Sequence, residues 1–148
     1  ITGKKGFSSI FVAKSHIASE VGVLKEALDV ISKYNISVES VATGIDSFSI
    51  VVESERVEND LYDLMNNLGK VLETDNITIE DNMAMVAIVG RKLKNYKGFS
   101  GKLFSTLGKN DINIKLISQT SDEISIILGV DEKDFEKTIN VVYKGFIK

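Results

Sequence analysis

Two glycines at matching places in the sequence have the clearest chemical use. Gly22 and Gly98 each follow a polar loop and precede an apolar pattern that is typical of a helix. Glycine at such a place lets the backbone come close to a ligand, and the free N–H groups of the first helical turn can hold a carboxylate. Relief of crowding in a tight turn would explain these glycines equally well, so the sequence leaves both explanations open.

Other residues that could do chemistry lack the partners that catalysis requires. His16 is the single histidine and has no partner motif, so a surface position is favoured over a catalytic role. The segment Gly3–Gly6 is basic but lacks the GK[ST] ending of a phosphate-binding loop. The acidic clusters Glu53–Asp60 and Asp131–Glu136 stand where a strand leads into a helix, which favours solvated helix starts over metal sites. We therefore expect no catalytic residue and no metal site in this chain, and we expect Asp131 to cap the last helix.

One stretch resembles a nucleic-acid patch. Lys92, Lys94 and Lys97 have Tyr96 and Phe99 interleaved among them. The chain as a whole carries a net charge of -3, which does not attract a phosphate backbone. We therefore expect a solvated loop here and no nucleic-acid partner.

The composition is that of a folded protein without a membrane segment. Its 148 residues are 43% hydrophobic and 26% charged, enough to bury a core. No apolar run approaches the roughly 20 residues that span a bilayer, and residues 1–11 lack the pattern of a secretory signal. The absence of Cys excludes disulfides and suits a cytoplasmic protein. Because the chain begins at Ile1 without a Met, we expect it to be a fragment of a longer protein.

The elements that would position the two glycines occur twice, at an offset of 76 residues set by Gly22 and Gly98. Both copies show the i, i+3, i+4, i+7 spacing of an amphipathic helix. The first set is Leu24, Ala27, Leu28 and Ile31, and the second is Ser100, Leu103, Phe104 and Leu107. Turns near Gly44 and Thr120 then join strand pairs. The predicted strands include Ser8–Lys14, Ser47–Glu53, Asn76–Glu80, Met83–Gly90 and Glu123–Gly129.

A second helical stretch closes each copy. Its apolar stripe is Val57, Leu61, Leu64, Met65 and Leu68 in the first copy, and Phe135, Ile139, Val142 and Phe146 in the second. The order predicts an α+β chain of two tandem ferredoxin-like βαββαβ domains, 1–81 and 82–148, with antiparallel sheets covered on one face by helices. Only Ile147 and Lys148 follow the last helix, so we expect residues 1–6 to supply the missing strand of the second domain.

The whole chain resembles the C-terminal regulatory region of aspartokinases, which consists of two tandem ACT domains. The most specific stretches are Gly98–Leu107 and Asp111–Ile126, similar to the family's glycine, helix, N-I-N-I, I-S-Q and S-E-I-S-I. In the first repeat, Asn35–Thr43 resembles the lysine-responsive branch. Met83–Gly90 matches the strand that opens the second ACT domain of the family.

The resemblance implies a parent enzyme, aspartate kinase, that phosphorylates the β-carboxylate of aspartate and is inhibited by an end-product amino acid. Its ATP and Mg²⁺ sites lie in a kinase domain that this chain lacks, so we expect no cofactor here and no activity from the chain alone. The resemblance also implies a homodimer in which first-repeat ACT domains pair and the effector lies at an ACT–ACT interface.

The resemblance further assigns nine residues to the effector pocket. They are Ile17, Ser19 and Glu20 in the loop, Gly22, Val23 and Leu24 at the helix start, and Ser37, Val38 and Glu39 in the next strand. The amides at 22–24 would hold the effector carboxylate and Glu39 would face a side-chain ammonium, which makes lysine the leading effector. Ile17, Glu20 and Val23 replace residues that are more often methionine, serine and phenylalanine, which affects the shape of the pocket rather than its location.

Other functions stay open at this point. A free-standing ferredoxin-like module for small-molecule binding or assembly, with no kinase attached, fits the same pattern. An RNA-binding sheet would need exposed aromatic residues, and Phe11 and Phe48 are too few. The sequence also leaves open whether the effector is lysine, threonine or both, the sign of the regulation, and whether the second repeat binds a ligand.

Overall fold

The computed structural model describes residues 1–147, and Lys148 lies outside the described part. The strands are β1 (Thr2–Ala13), β2 (Val38–Thr43), β3 (Ser47–Glu53), β4 (Asn76–Val89), β5 (Ile114–Gln119) and β6 (Ser125–Asp131). The α-helices are α1 (Val23–Lys33), α2 (Ser54–Val57), α3 (Leu61–Leu72), α4 (Phe99–Gly108) and α5 (Phe135–Phe146). Short 3₁₀ turns occupy Ile17–Ser19, Arg91–Leu93 and Glu132–Asp134. No helix in residues 1–147 is both long and apolar enough to cross a membrane.

The chain divides into two compact units. The first unit is Gly6–Asp81, and the second combines Ile1–Lys5 with the described residues from Asn82 onward. The strands β1 and β4 are long enough to contribute to both. The strand order is β2-β3-β1-β4 in the first unit and β1-β4-β6-β5 in the second. The predicted α+β class of tandem ferredoxin-like domains is therefore confirmed.

The core of the first unit follows from the period-two pattern of β3 and the stripes of its helices. Phe48, Ile50 and Val52 point to one face of the sheet, and each is 2% exposed or less. From the helices, Ala27 and Leu64 pack in the same core with no exposure. Each buried Val, Leu, Ile or Phe side chain of this set contributes roughly 1.5–3 kcal/mol, so this apolar face stabilises the unit.

In the second unit, β6 begins two residues later than the predicted strand Glu123–Gly129. The buried face of β6 consists of Ile126, Leu128 and Val130, whereas Ile124 is 36% exposed. A shift of two residues leaves the alternation of faces unchanged, so the sequence pattern could not detect it. The offset between the repeats is therefore 76 residues up to β5 and 78 at β6, because the second hairpin loop is two residues longer.

Two predicted element assignments were wrong. The strands predicted at Asn76–Glu80 and Met83–Gly90 form one strand, because Asn82 takes a left-handed conformation (φ 57°) without ending the extended chain. The helix predicted through Val57 and Leu61 is split into α2 and α3. Residues 58–60, Glu-Asn-Asp, include two of the types that compete with helical hydrogen bonds.

The cap predicted at Asp131 belongs to a different element. Its carboxylate accepts a 3.4 Å hydrogen bond from the N–H of Lys133, inside the 3₁₀ turn, and α5 begins only at Phe135. Asp131 therefore caps the turn that leads into the last helix.

The N-terminal residues take part in the second unit. Lys5 Nζ lies 2.6 Å from the Glu136 carboxylate and 5.4 Å from the ring centre of Phe135. A Cβ on Gly3 would lie 2.7 Å from a ring atom of Phe135 and 2.9 Å from the carbonyl oxygen of Met85. Glycine at position 3 is thus required by the close approach of these neighbours.

Candidate functional site

The two glycines before the repeated helices adopt the same conformation. Gly22 precedes α1 with φ 86°, and Gly98 precedes α4 with φ 84°. A Cβ at either glycine would meet nothing within 4 Å, so crowding does not explain them. The left-handed backbone does, since side-chain-bearing residues adopt it at a cost.

The start of α1 leaves backbone donors available. The first helical hydrogen bond of α1 runs from the N–H of Glu26 to the carbonyl of Gly22, at 2.9 Å. The N–H groups of Val23 and Leu24 precede this bond and have no partner within the helix. The side chain of Val23 is buried in the core, which holds the first turn in place. Such a turn can bind a carboxylate through its amides.

The glycine conformation yields a test within one helix. We expect Gly98→Ala to destabilise the second unit by about 1–2 kcal/mol, because an L side chain in the left-handed region costs that much. Gly101 lies inside α4 with open space at its Cβ position and provides the matched control. Gly101→Ala should stabilise by about 0.5–1 kcal/mol. Urea unfolding of both variants measures the two effects, and a Gly98→Ala protein as stable as the parent would contradict the conformational explanation.

The loop before α1 is anchored by two acidic residues distant in sequence. The backbone N–H and the hydroxyl of Ser15 donate to the Asp75 carboxylate at 2.7 and 2.6 Å. The N–H of His16 donates to Asp46 at 3.1 Å. The hydrogen bonds from Ser15 lower the pKa of Asp75 below its ordinary value, because they stabilise the ionised carboxylate. The sequence does not reveal either anchor, because nothing local marks a carboxylate that pairs with a distant loop.

The side chains of the predicted loop residues Ile17, Ser19 and Glu20 make contacts within the first unit. Ile17 is partly buried against the first core. The hydroxyl of Ser19 donates to the carbonyl of His16 at 2.9 Å, and the Glu20 carboxylate lies 3.1 Å from Lys14 Nζ. Ser19 and Glu20 therefore already have partners inside the unit.

The predicted strand residues lie at the start of β2, where the strand contains a bulge. Val38 is opposite Val52 and Ser40 is opposite Val51, so Glu39 is the extra residue between them. Glu39 is exposed, as is Ser37 just before the strand, whereas Val38 is partly buried. A bulge re-aims the side chain it carries, which here is a carboxylate.

The second unit carries the same bulge with the opposite charge. Lys115 is the extra residue of β5, and its Nζ lies 3.5 Å from the Asp131 carboxylate. Burial raises the pKa of Asp131, but the Lys133 N–H and the charge of Lys115 outweigh it and hold that pKa below its ordinary value. The bulge cation of the second unit is thus paired with a carboxylate of its own sheet.

One chain does not bring the two halves of the predicted pocket together. The loop follows Ala13, which is opposite Ser47, whereas Val38 is opposite Val52 at the other end of the first unit's sheet. Val52 is five positions along the extended strand from Ser47, about 17 Å at about 3.3 Å per residue. The loop and helix start at residues 17–24 are therefore far from the strand residues 37–39 of the same chain.

A cavity of about 190 Å³ lies at the corresponding loop and helix start of the second unit. It is lined by Leu93, Asn95, Tyr96, Lys97, Phe99, Ser100, Gln119, Glu123 and Ile126. Five of these, Leu93, Asn95, Tyr96, Phe99 and Ser100, are the counterparts of Ile17, Ser19, Glu20, Val23 and Leu24 at the offset of 76. No site was predicted here from the sequence, although the offset of 76 applied to the predicted pocket leads to these residues.

Comparisons with known proteins match this chain to an ACT domain and to part of aspartate kinases. Residues 86–146 match the ACT domain. Aspartokinase 3 of Bacillus subtilis is 25% identical over 147 residues, which are 99% of this chain and 32% of that protein. The crystal structure of aspartate kinase from Clostridium acetobutylicum matches with a TM-score of 0.94 and 36% identity, covering 98% of this chain and 34% of that one.

A third match has nearly the length of this chain. The regulatory subunit of aspartate kinase from Thermus thermophilus has a TM-score of 0.82 and 17% identity, covering 98% of this chain and 95% of that one. At 17% identity this similarity supports a shared fold and nothing further. The present chain spans about a third of the curated aspartokinase that it matches (32%).

Proposed function

Because the chain consists of two ACT-type domains of the kind found in aspartokinase regulatory regions, we propose that it is the effector-binding region of an aspartate kinase. In this role it binds an end-product amino acid and thereby inhibits transfer of phosphate from ATP to the β-carboxylate of aspartate. The match to an aspartate kinase over 98% of the chain supports this function. ATP and Mg²⁺ then belong to a kinase domain, and the cysteine-free composition suits a cytoplasmic enzyme.

The proposed effector is lysine, bound by the first unit. This assignment rests on the carboxylate of Glu39 at the bulge, because a carboxylate forms a charge-assisted hydrogen bond with an ammonium group. The equivalent bulge residue of the second unit is a cation, Lys115, which is paired with Asp131 and cannot accept the side-chain ammonium of lysine. The amides that follow Gly22 are then available for the carboxylate of the effector.

The proposed site is completed by a second copy of the chain. Residues 17–24 and 37–39 lie at opposite ends of the first unit's sheet, so a ligand that touches both sets needs one set from each copy. We therefore propose a homodimer in which the first units pair through their ACT domains. Within each chain, 6–81 and the residues from 82 onward with 1–5 act as the two domains.

Titration calorimetry with lysine, threonine and methionine tests this function. We expect lysine to bind saturably with one site per chain, because the charge at Glu39 selects a cationic side chain. We expect threonine and methionine to bind at least about tenfold more weakly, the factor that corresponds to 1.4 kcal/mol. Sedimentation in the same buffers should show a dimer when lysine is bound. Absence of heat with all three amino acids would reject the proposed function.

A further inference from the structure

A second cavity of the second unit has a different chemical character. Its volume is about 410 Å³, within the roughly 300–1,000 Å³ typical of small-molecule sites. It lies between the loop before α4, the first turns of α4 and the end of α5. The residues that matter for its chemistry are Lys92, Leu93, Tyr96, Phe99, Lys102 and Phe146. The basic loop singled out in the sequence therefore forms one wall of a cleft.

Three aromatic rings form much of the cleft wall. Tyr96 and Phe99 meet edge to face, with ring centres 5.7 Å apart. Phe99 and Phe146 are tilted against each other at 4.9 Å. Packed aromatic rings offer flat apolar surface to a ligand that can stack against them or meet their edges. The wall thus favours a ligand with a flat apolar body.

One cation of the cleft is held in position before any ligand arrives. Lys102 Nζ donates to the carbonyl of Gly145 at 3.2 Å and lies 4.7 Å from the ring centre of Phe146. An ammonium group has three donors, so two remain for a ligand. Because the group is already ordered, binding loses less side-chain freedom than it would with a free lysine.

The charge of the cleft is of one sign. Lys92 contributes a second ammonium, and no acidic residue lines the cavity. The adjoining loop, residues 91–97, carries Arg91, Lys92, Lys94 and Lys97 without an acid, in a chain whose net charge is -3. A local excess of positive charge against a negative background favours an anionic ligand.

We propose that this cleft binds a small anion with a flat apolar body, of the class of aromatic carboxylates. The ring of the ligand lies against the wall that Tyr96, Phe99 and Phe146 form, and its carboxylate accepts hydrogen bonds from Lys102, with Lys92 adding charge. This site is separate from the proposed lysine site, which uses residues of the first unit. It needs one chain only, because all its residues lie in the second unit.

Three probes that share a ring and differ in charge test the proposal. Indole-3-acetate is anionic, indole is neutral and tryptamine is cationic at neutral pH. In calorimetric titrations of the unmodified chain, we expect indole-3-acetate to bind at least about tenfold more tightly than indole, a difference of 1.4 kcal/mol. We expect tryptamine to bind most weakly. Equal affinities for the three probes, or no saturable binding of indole-3-acetate, would overturn the proposal.

Lys102→Met isolates the charge, since it keeps most of the aliphatic stem and removes the ammonium. We expect indole-3-acetate affinity to fall at least about tenfold while indole affinity stays the same. Lys92→Met, on the exposed loop, should give a smaller loss and provides a variant without a packing role. The matched control is Lys70→Met, because Lys70 lines a cleft of about 400 Å³ in the first unit. Unchanged affinity in Lys102→Met, or an equal loss in Lys70→Met, contradicts the assignment.

Discussion

Glu39→Gln should weaken lysine binding at least about tenfold. Loss of one member of a charge-assisted pair typically costs about 2–5 kcal/mol when the pair is buried, because the other charge is left unpaired. A dimer interface that covers the bulge of β2 creates such burial, and 1.4 kcal/mol corresponds to a factor of ten. The substitution should barely change folding, because the Glu39 side chain is exposed in the single chain. Calorimetric titration of the variant with lysine measures the loss.

Two controls separate charge from general damage. Threonine carries no side-chain ammonium, so any weak threonine binding should be the same with Glu39 or Gln at this position. Lys115→Gln changes the equivalent bulge residue of the second unit and should leave lysine affinity unchanged. If Glu39→Gln binds lysine as tightly as the parent, the carboxylate does not have the assigned role and the effector binds elsewhere.

Leu64→Ala should destabilise the first unit by about 2–5 kcal/mol, the usual cost of an emptied leucine site in a packed core. Leu64 lies on α3 with no exposed surface, in the cluster formed by the helices and the covered face of the sheet. Val71, on the same helix, is 49% exposed, so Val71→Ala should change stability by no more than about 0.5 kcal/mol. Urea denaturation of both variants gives the comparison, and equal effects would mean that α3 does not pack as described.

The loss of stability in Leu64→Ala should also weaken lysine binding at the proposed site. The helices α1 and α3 pack in one core, so a loosened α3 should disturb the first turn of α1. We expect lysine affinity to fall with Leu64→Ala and to be unaffected by Val71→Ala.

Some features of this protein were determined by the sequence alone. The faces of β3 are set by local periodicity, because a strand buries whichever side is apolar. In α1 the predicted stripe identified Ala27 and Ile31 but missed Val23 and Val30, which complete its buried face. The internal repeat located Gly22 and Gly98. Both glycines precede a helix in the left-handed conformation, which is a requirement of the local backbone. These predictions depend only on neighbours along the chain, and for that reason they were accessible without coordinates.

Only the tertiary structure decided the features that depend on distant partners. A two-residue shift of β6 leaves its alternation intact, so pairing with β4 and β5 had to set the register. The anchoring of Ser15 by Asp75 joins residues 60 positions apart. The separation of Gly22 from Glu39 follows from the direction of α1, which carries the chain from one end of the sheet to the other. Each of these depends on which strands are neighbours in space, and residue types along the chain do not encode that directly.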